Sequence, residues 1–212
     1  MYKKEICIYC GKREGNTRDH IPPRGFFQLK FSNNVKLITV PCCEKCRTQD
    51  QRNDTLIRDI ILGSLVLSDN TYVKKYISDR VKRSISKRGN NINRILELLR
   101  MKETEVLTLD GFSKTKMPAI NIDQPEFDRF FKRLSQALFY EAYKQTITDI
   151  TINWKPNIQI PSKTIVHRID GVYHQSILDV FYYFITPRYD NSHYAYVEFY
   201  KSLNFLIRLN IN

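Results

Sequence analysis

Glycine is scarce in this chain, 7 residues in 212, and no run of 18 or more apolar residues exists. The first rules out collagen-like and flexible glycine-rich classes, and the second leaves no candidate for a membrane-crossing helix. The opening "MYKKEICIYC" lacks the apolar stretch of a secretory signal. There is no internal repeat and no low-complexity tract. Cysteine is absent from the last 166 positions. A cytoplasmic protein with reduced thiols is the expectation. With 42% hydrophobic residues, 13 Tyr and 12 Phe, the chain can bury a substantial core.

Acidic charge is also short, and unevenly so. The formal net charge is +12. Residues 1–100 carry 21 Lys and Arg against 10 Asp and Glu, whereas residues 101–212 carry 13 against 12. A basic half beside a neutral half points to a polyanion, and nucleic acid is the expected partner.

All five cysteines fall in the first 46 residues: Cys7, Cys10, Cys42, Cys43 and Cys46. Two C-x-x-C pairs can be written, Cys7/Cys10 and Cys43/Cys46, with Cys42 able to replace Cys43 by a small register change. Two such knuckles supply four sulfurs in a tetrahedron, the closed geometry of structural Zn2+. Disulfides would need an oxidising compartment, and a thioredoxin-like pair would need one C-x-x-C in a βαβ context. Buried apolar cysteines would not be paired twice at this spacing.

The 32 residues between the pairs exceed a simple zinc ribbon, and Asp19-His20 lies inside them. "TRDHIPP" reads as a short strand that Pro22-Pro23 forbids to continue. "KLITVP", Lys36 to Pro41, reads as a second strand reaching the second knuckle. After Cys46, "CRTQDQRNDTLIRDIILGSLVL" reads as a helix with Leu56, Ile57, Ile60, Ile61 and Leu65 on one face.

In that order, "CIYCG", "DHIPP", "LITVPCCEKC" and "DQRNDTLIRD" resemble an HNH endonuclease, the ββα-metal fold in its zinc-stabilised, treble-clef-like form. The resemblance covers roughly residues 5–62. It implies structural zinc on Cys7, Cys10, Cys43 and Cys46, with His20 as the general base that activates water. It implies Asp19 as a ligand of catalytic Mg2+ or Mn2+, with Asp54, or Asn53, as a further ligand. HNH proteins usually carry Asn directly after the last cysteine, and here that position is Arg47. Arginine cannot ligate a cation. It could reach the scissile phosphate, or mark a zinc-containing module that binds nucleic acid without cutting it.

Residues 71–88, "TYVKKYISDRVKRSISKR", read as an amphipathic helix with Val73, Tyr76, Ile77 and Val81 inward. Lys74, Lys75, Lys82 and Arg83 belong to seven cations that face a single acid, Asp79, so phosphate contact is expected there. Arg18 and Arg24 flank His20 and could hold the backbone nearest the cut. "NRILELLRM" reads as a short helix, and "TEVLTLDGFSKTKMPAINID" as a hairpin turning at Asp110-Gly111. A long helix is expected over Gln124 to Gln145, with Phe127, Phe130, Phe131, Leu134, Leu138 and Phe139 on its apolar face. The tail from Gly171 reads as three antiparallel strands with "PRYDNSH" as one turn, and His167, His174 and His193 read as structural.

The expected fold class is α+β. A zinc-stapled ββα module spans 1–66, a basic helical segment 67–100, and an α+β accessory domain with antiparallel strands 101–212. The accessory domain could dock a protein partner or self-associate. The function expected from the resemblance is a metal-dependent endonuclease acting on DNA, such as a bacterial defence or restriction effector. The alternatives are a catalytically silent nucleic-acid-binding or adaptor module, and an effector silent until a partner releases it.

Overall fold

The computed structural model describes residues 5–27, 36–65, 102–107, 114–119, 124–160 and 163–211. The expected basic helix over 71–88, the helix at "NRILELLRM" and the Asp110-Gly111 turn lie outside the described residues. Two compact units are present: residues 1–58 together with 125–212, and residues 59–124.

The first unit begins with the hairpin β1 (Thr17–Ile21) and β2 (Ile38–Cys42), antiparallel, with His20 opposite Thr39 and Ile21 opposite Ile38. β1 ends one residue beyond His20, where Pro22 supplies no ladder N–H. A single 3-10 turn, Arg24–Phe26, follows. The helix α1 (Glu44–Ser64) starts inside the second C-x-x-C, earlier than the sequence suggested. Ile57, Ile60, Ile61 and Leu65 are buried, as their spacing requires.

The helix α2 (Gln124–Tyr143) matches the long apolar pattern closely, and all six expected apolar positions are buried. It covers one face of a five-stranded antiparallel sheet. The strands are β5 (Ile150–Pro156), β6 (Tyr173–Ile177), β7 (Phe181–Ile185), β8 (Ser192–Phe199) and β9 (Leu203–Ile211), in the order β5-β9-β8-β7-β6. Three strands were expected in the tail. Four are there, and β5 adds a fifth.

The register explains the packing. Phe181, Phe199 and Phe205 fall on the α2 face, where Phe131 meets Phe205 at 4.7 Å between centroids and Trp154 at 5.0 Å. Each fully buried ring of this kind stabilises by about 1.5–3 kcal/mol. The other face carries Tyr182, Phe184 and Tyr196, covered by Val166 of the one-turn helix α3 (Lys163–Val166). All five residues of β7 are therefore buried.

The hairpin is joined to this layer. Phe26 stacks on Phe199 at 5.0 Å, and the Tyr200 hydroxyl donates to the Phe26 carbonyl at 2.7 Å. In the second unit, β3 (Lys102–Leu107) and β4 (Lys114–Ala119) pair as an antiparallel hairpin, as expected. No helix among the described residues is long and apolar enough to cross a membrane.

Candidate metal centre and acidic cluster

The four thiols of Cys7, Cys10, Cys43 and Cys46 lie within 4.8 Å of one another. Local backbone contacts build this site. Gly11 donates to the Cys7 carbonyl at 2.9 Å and Arg47 to the Cys43 carbonyl at 3.0 Å, closing both knuckles into turns. Gly11 adopts φ 61°, a conformation that favours glycine. Ile8 donates to the Pro41 carbonyl at 3.1 Å, which brings the first knuckle to the end of β2.

Four sulfurs and no oxygen donor suit a closed tetrahedral ion such as Zn2+, and the residues fit that group. Burial alone would raise the Cys43 thiol, but hydrogen bonds from Cys46 and the Arg13 guanidinium draw its pKa down to about 6. The register ambiguity is resolved as well. Cys42 is fully buried, its Sγ donates to the Cys43 carbonyl at 3.3 Å, and burial pushes its thiol up. Cys42 is a packing residue.

Adjacent residues of a strand point to opposite faces, and this divides Asp19 from His20. His20 is half-buried. Burial first, and then the charges of Arg24 and Arg47, lower its pKa from the ordinary histidine value, while Asp19 works against them. The neutral imidazole thus has two guanidinium groups in its field. Arg18 shares this side of β1 and pairs with Glu5. Arg47 reaches Glu44 at 3.9 Å on the exposed side of α1. Lys74, Lys75, Lys82 and Arg83 lie outside the described residues.

Asp19 turns the other way, into a cluster that sequence reasoning did not identify. Its Oδ2 accepts from the Tyr9 hydroxyl at 2.7 Å and from Arg133 Nη2 at 2.6 Å. Arg133 projects from α2, lies over the Tyr9 ring at 4.7 Å, and places Nη1 3.3 Å from Asp50 Oδ2 and 3.6 Å from Asp54 Oδ2. Burial raises the Asp54 carboxyl to about 7 against the pull of Arg133, with Asp19 and Asp50 adding to the rise. Asn53 donates to the Glu126 carbonyl at 3.0 Å, at the start of α2.

The structure therefore brings Asp19, Asp50 and Asp54 around one guanidinium, while Asn53 is bonded to the Glu126 carbonyl. With Arg133 there, the three do not fit a Mg2+ or Mn2+ ion in this arrangement. Arg133, Asp50 and Tyr9 were missed. The one signal available was a cation at position 133, between Phe130 and Ala137 on the flank of an apolar helix stripe.

No protein-family model, no curated protein and no solved structure matches this chain.

Proposed function

We propose that this protein is an HNH-type endonuclease that hydrolyses phosphodiester bonds in DNA, built on a structural zinc at Cys7, Cys10, Cys43 and Cys46. The observation that carries the reading is the position of His20, held on β1 of a cysteine-stapled hairpin and helix, with Arg24 and Arg47 in its field. A neutral imidazole can accept a proton from water as that water attacks phosphorus. The two guanidinium groups can hold the non-bridging phosphate oxygens and offset the charge that builds on them. The P–O bond to the leaving sugar oxygen breaks as the new one forms, and that oxygen takes its proton from solvent.

The test is nicking of supercoiled DNA by wild type and His20→Ala, each with Mg2+, Mn2+ or EDTA. His20→Ala is expected to lose about 10²–10⁴-fold in rate while keeping its affinity for DNA. A variant that cuts as fast as wild type overturns the assignment of His20. A second reading, a module that binds nucleic acid without cutting it, is favoured by Arg133 standing among Asp19, Asp50 and Asp54. It expects salt-dependent DNA binding and no nicking under any metal condition.

A further inference from the structure

Taking a guanidinium out of water is costly, and a buried ion pair is weak evidence that stability is its purpose. Position 133 lies on the flank of the α2 apolar stripe, where Phe130, Leu134 and Ala137 are all buried. An apolar residue there would extend the stripe. The chain instead keeps a buried arginine whose Nε and Nη1 make no hydrogen bond among the described residues. The 3.3 and 3.6 Å approaches of Nη1 to Asp50 and Asp54 are charge contacts only. The hydrogen bond that Arg133 does make runs from Nη2 to Asp19 Oδ2 at 2.6 Å.

Asp19 passes that contact on. Its other oxygen, Oδ1, accepts from the backbone N–H of His20 at 3.0 Å, while Tyr9 donates to Oδ2 at 2.7 Å. Both carboxylate oxygens are therefore engaged by donors of the protein itself. Among the described residues β1 has one strand neighbour, β2, so the ladder holds it along a single edge. A two-stranded hairpin is marginal by itself. The helix at the other end of the contact is firmly seated, with Phe131 against Phe205 at 4.7 Å and Phe127 against Trp154 at 5.6 Å.

We propose that Arg133 is a positioning residue for His20: it fastens the Asp19–His20 peptide to α2 from behind, so that the imidazole on the opposite face of β1 keeps one orientation. The inference rests on the reading of His20 as the general base, and it gives the accessory layer a part in that chemistry. Arg133 itself touches neither substrate nor the reacting atoms. A general base has to meet its proton within about 2.6–3.2 Å. A misplacement of about 1 Å can cost about 10²-fold in rate.

The test uses the protein purified with zinc, and two readouts. The first is the proton–carbon NMR spectrum of the histidine rings, 4 in this chain, assigned by single substitutions. In Arg133→Gln the His20 ring signal is expected to shift or broaden. His193, packed on Phe139 of the same helix at 5.0 Å, should keep its wild-type signal. The second readout is nicking of supercoiled DNA, in which Arg133→Gln is expected to lose about 10²-fold in kcat with KM unchanged. Arg133→Lys, which keeps a cation beside Asp19, should recover part of that loss. Glu198→Gln removes the Lys163 ion pair on the other face of the sheet, and should leave the His20 signal and kcat as in wild type.

An unmoved His20 signal in folded Arg133→Gln overturns the proposal. So does an equal loss of kcat in Glu198→Gln, which is the mark of general softening. A moved signal with no nicking by any protein keeps Arg133 as the anchor of His20 and removes the nuclease. Nicking at equal kcat by wild type and Arg133→Gln does the reverse. If Arg133→Gln fails to fold, Asp19→Asn, which leaves Arg133 beside Asp50 and Asp54, carries both measurements with the same expected directions.

Discussion

Asp19 and Arg133 stand 114 residues apart in the chain and 2.6 Å apart in space, as a hydrogen-bonded ion pair with side chains only 16% and 11% exposed. The acid belongs to the hairpin and the base to the helix that covers the sheet. This one contact couples the strand carrying His20 to the accessory layer.

Breaking a buried pair by removing one partner leaves the other charge uncompensated. Arg133→Ala is expected to lower the unfolding free energy by about 3–5 kcal/mol in urea denaturation. Glu44→Ala removes only the exposed 3.9 Å pair with Arg47, and should cost less than about 1 kcal/mol. Similar losses for the two would count against a buried Arg133.

Metal content separates the adjacent cysteines. Cys43→Ala is expected to lose bound zinc by elemental analysis and to unfold the hairpin, because a structural zinc supplies folding free energy directly. Cys42→Ala should keep one equivalent of zinc, since its thiol bonds to the Cys43 carbonyl instead of joining the sulfur cluster. Zinc retained by Cys43→Ala would overturn the assignment of the four ligands.

Gly11 tests the knuckle itself. Its φ of 61° strains any L side chain, and an added Cβ would lie 2.8 Å from Thr148 Cγ2. Gly11→Ala should destabilise by about 1–3 kcal/mol. Adding Thr148→Ala relieves the clash and leaves the backbone strain, so calorimetry of the double variant is expected to recover only part of the loss.

The stacked pair His167 and His174, with centroids 3.7 Å apart, gives a pH prediction. Burial first, and then the charge of His167, lower the His174 pKa below its ordinary value. The folded state therefore binds fewer protons than the unfolded chain. The contribution is present above pH 6.5, the unfolded value, and is lost as pH falls through the lowered one. An NMR titration should place the His174 midpoint below that of the urea-unfolded protein, and His167→Ala should move it back up. A midpoint unmoved by that substitution would exclude the coupling.

The four-cysteine cluster, the hairpin and the long helix were legible because each leaves a local mark: paired C-x-x-C, a proline stop, an apolar stripe at helical spacing. The sheet was harder to read. The β6–β7 turn uses Leu178 at φ 52° and the β8–β9 turn uses Tyr200 and Lys201 at φ 55° and 56°, so neither carries glycine or asparagine to announce it. By contrast, Asp190 and Asn191 take positive φ in the turn that "PRYDNSH" did signal. The edge strand β5 does carry a period-2 mark, Ile150, Ile152 and Trp154 alternating with Thr151, Asn153 and Lys155, and it went unread. Arg133 was invisible for another reason. Its partners come from β1 and α1, and no local pattern encodes a contact made across the whole chain.

The bond from Tyr200 to the Phe26 carbonyl has a consequence for how the molecule is made. Its two ends are 174 residues apart. At roughly 5–20 residues per second, the ribosome takes about 10–35 s to deliver the second after the first. For most of that interval, once Cys46 has followed Phe26, both cysteine knuckles are made while the aromatic surface that will receive Phe26 is still incomplete. The four thiols of Cys7, Cys10, Cys43 and Cys46 can therefore gather, and take up a metal ion if one is bound there, before the sheet exists to receive Phe26.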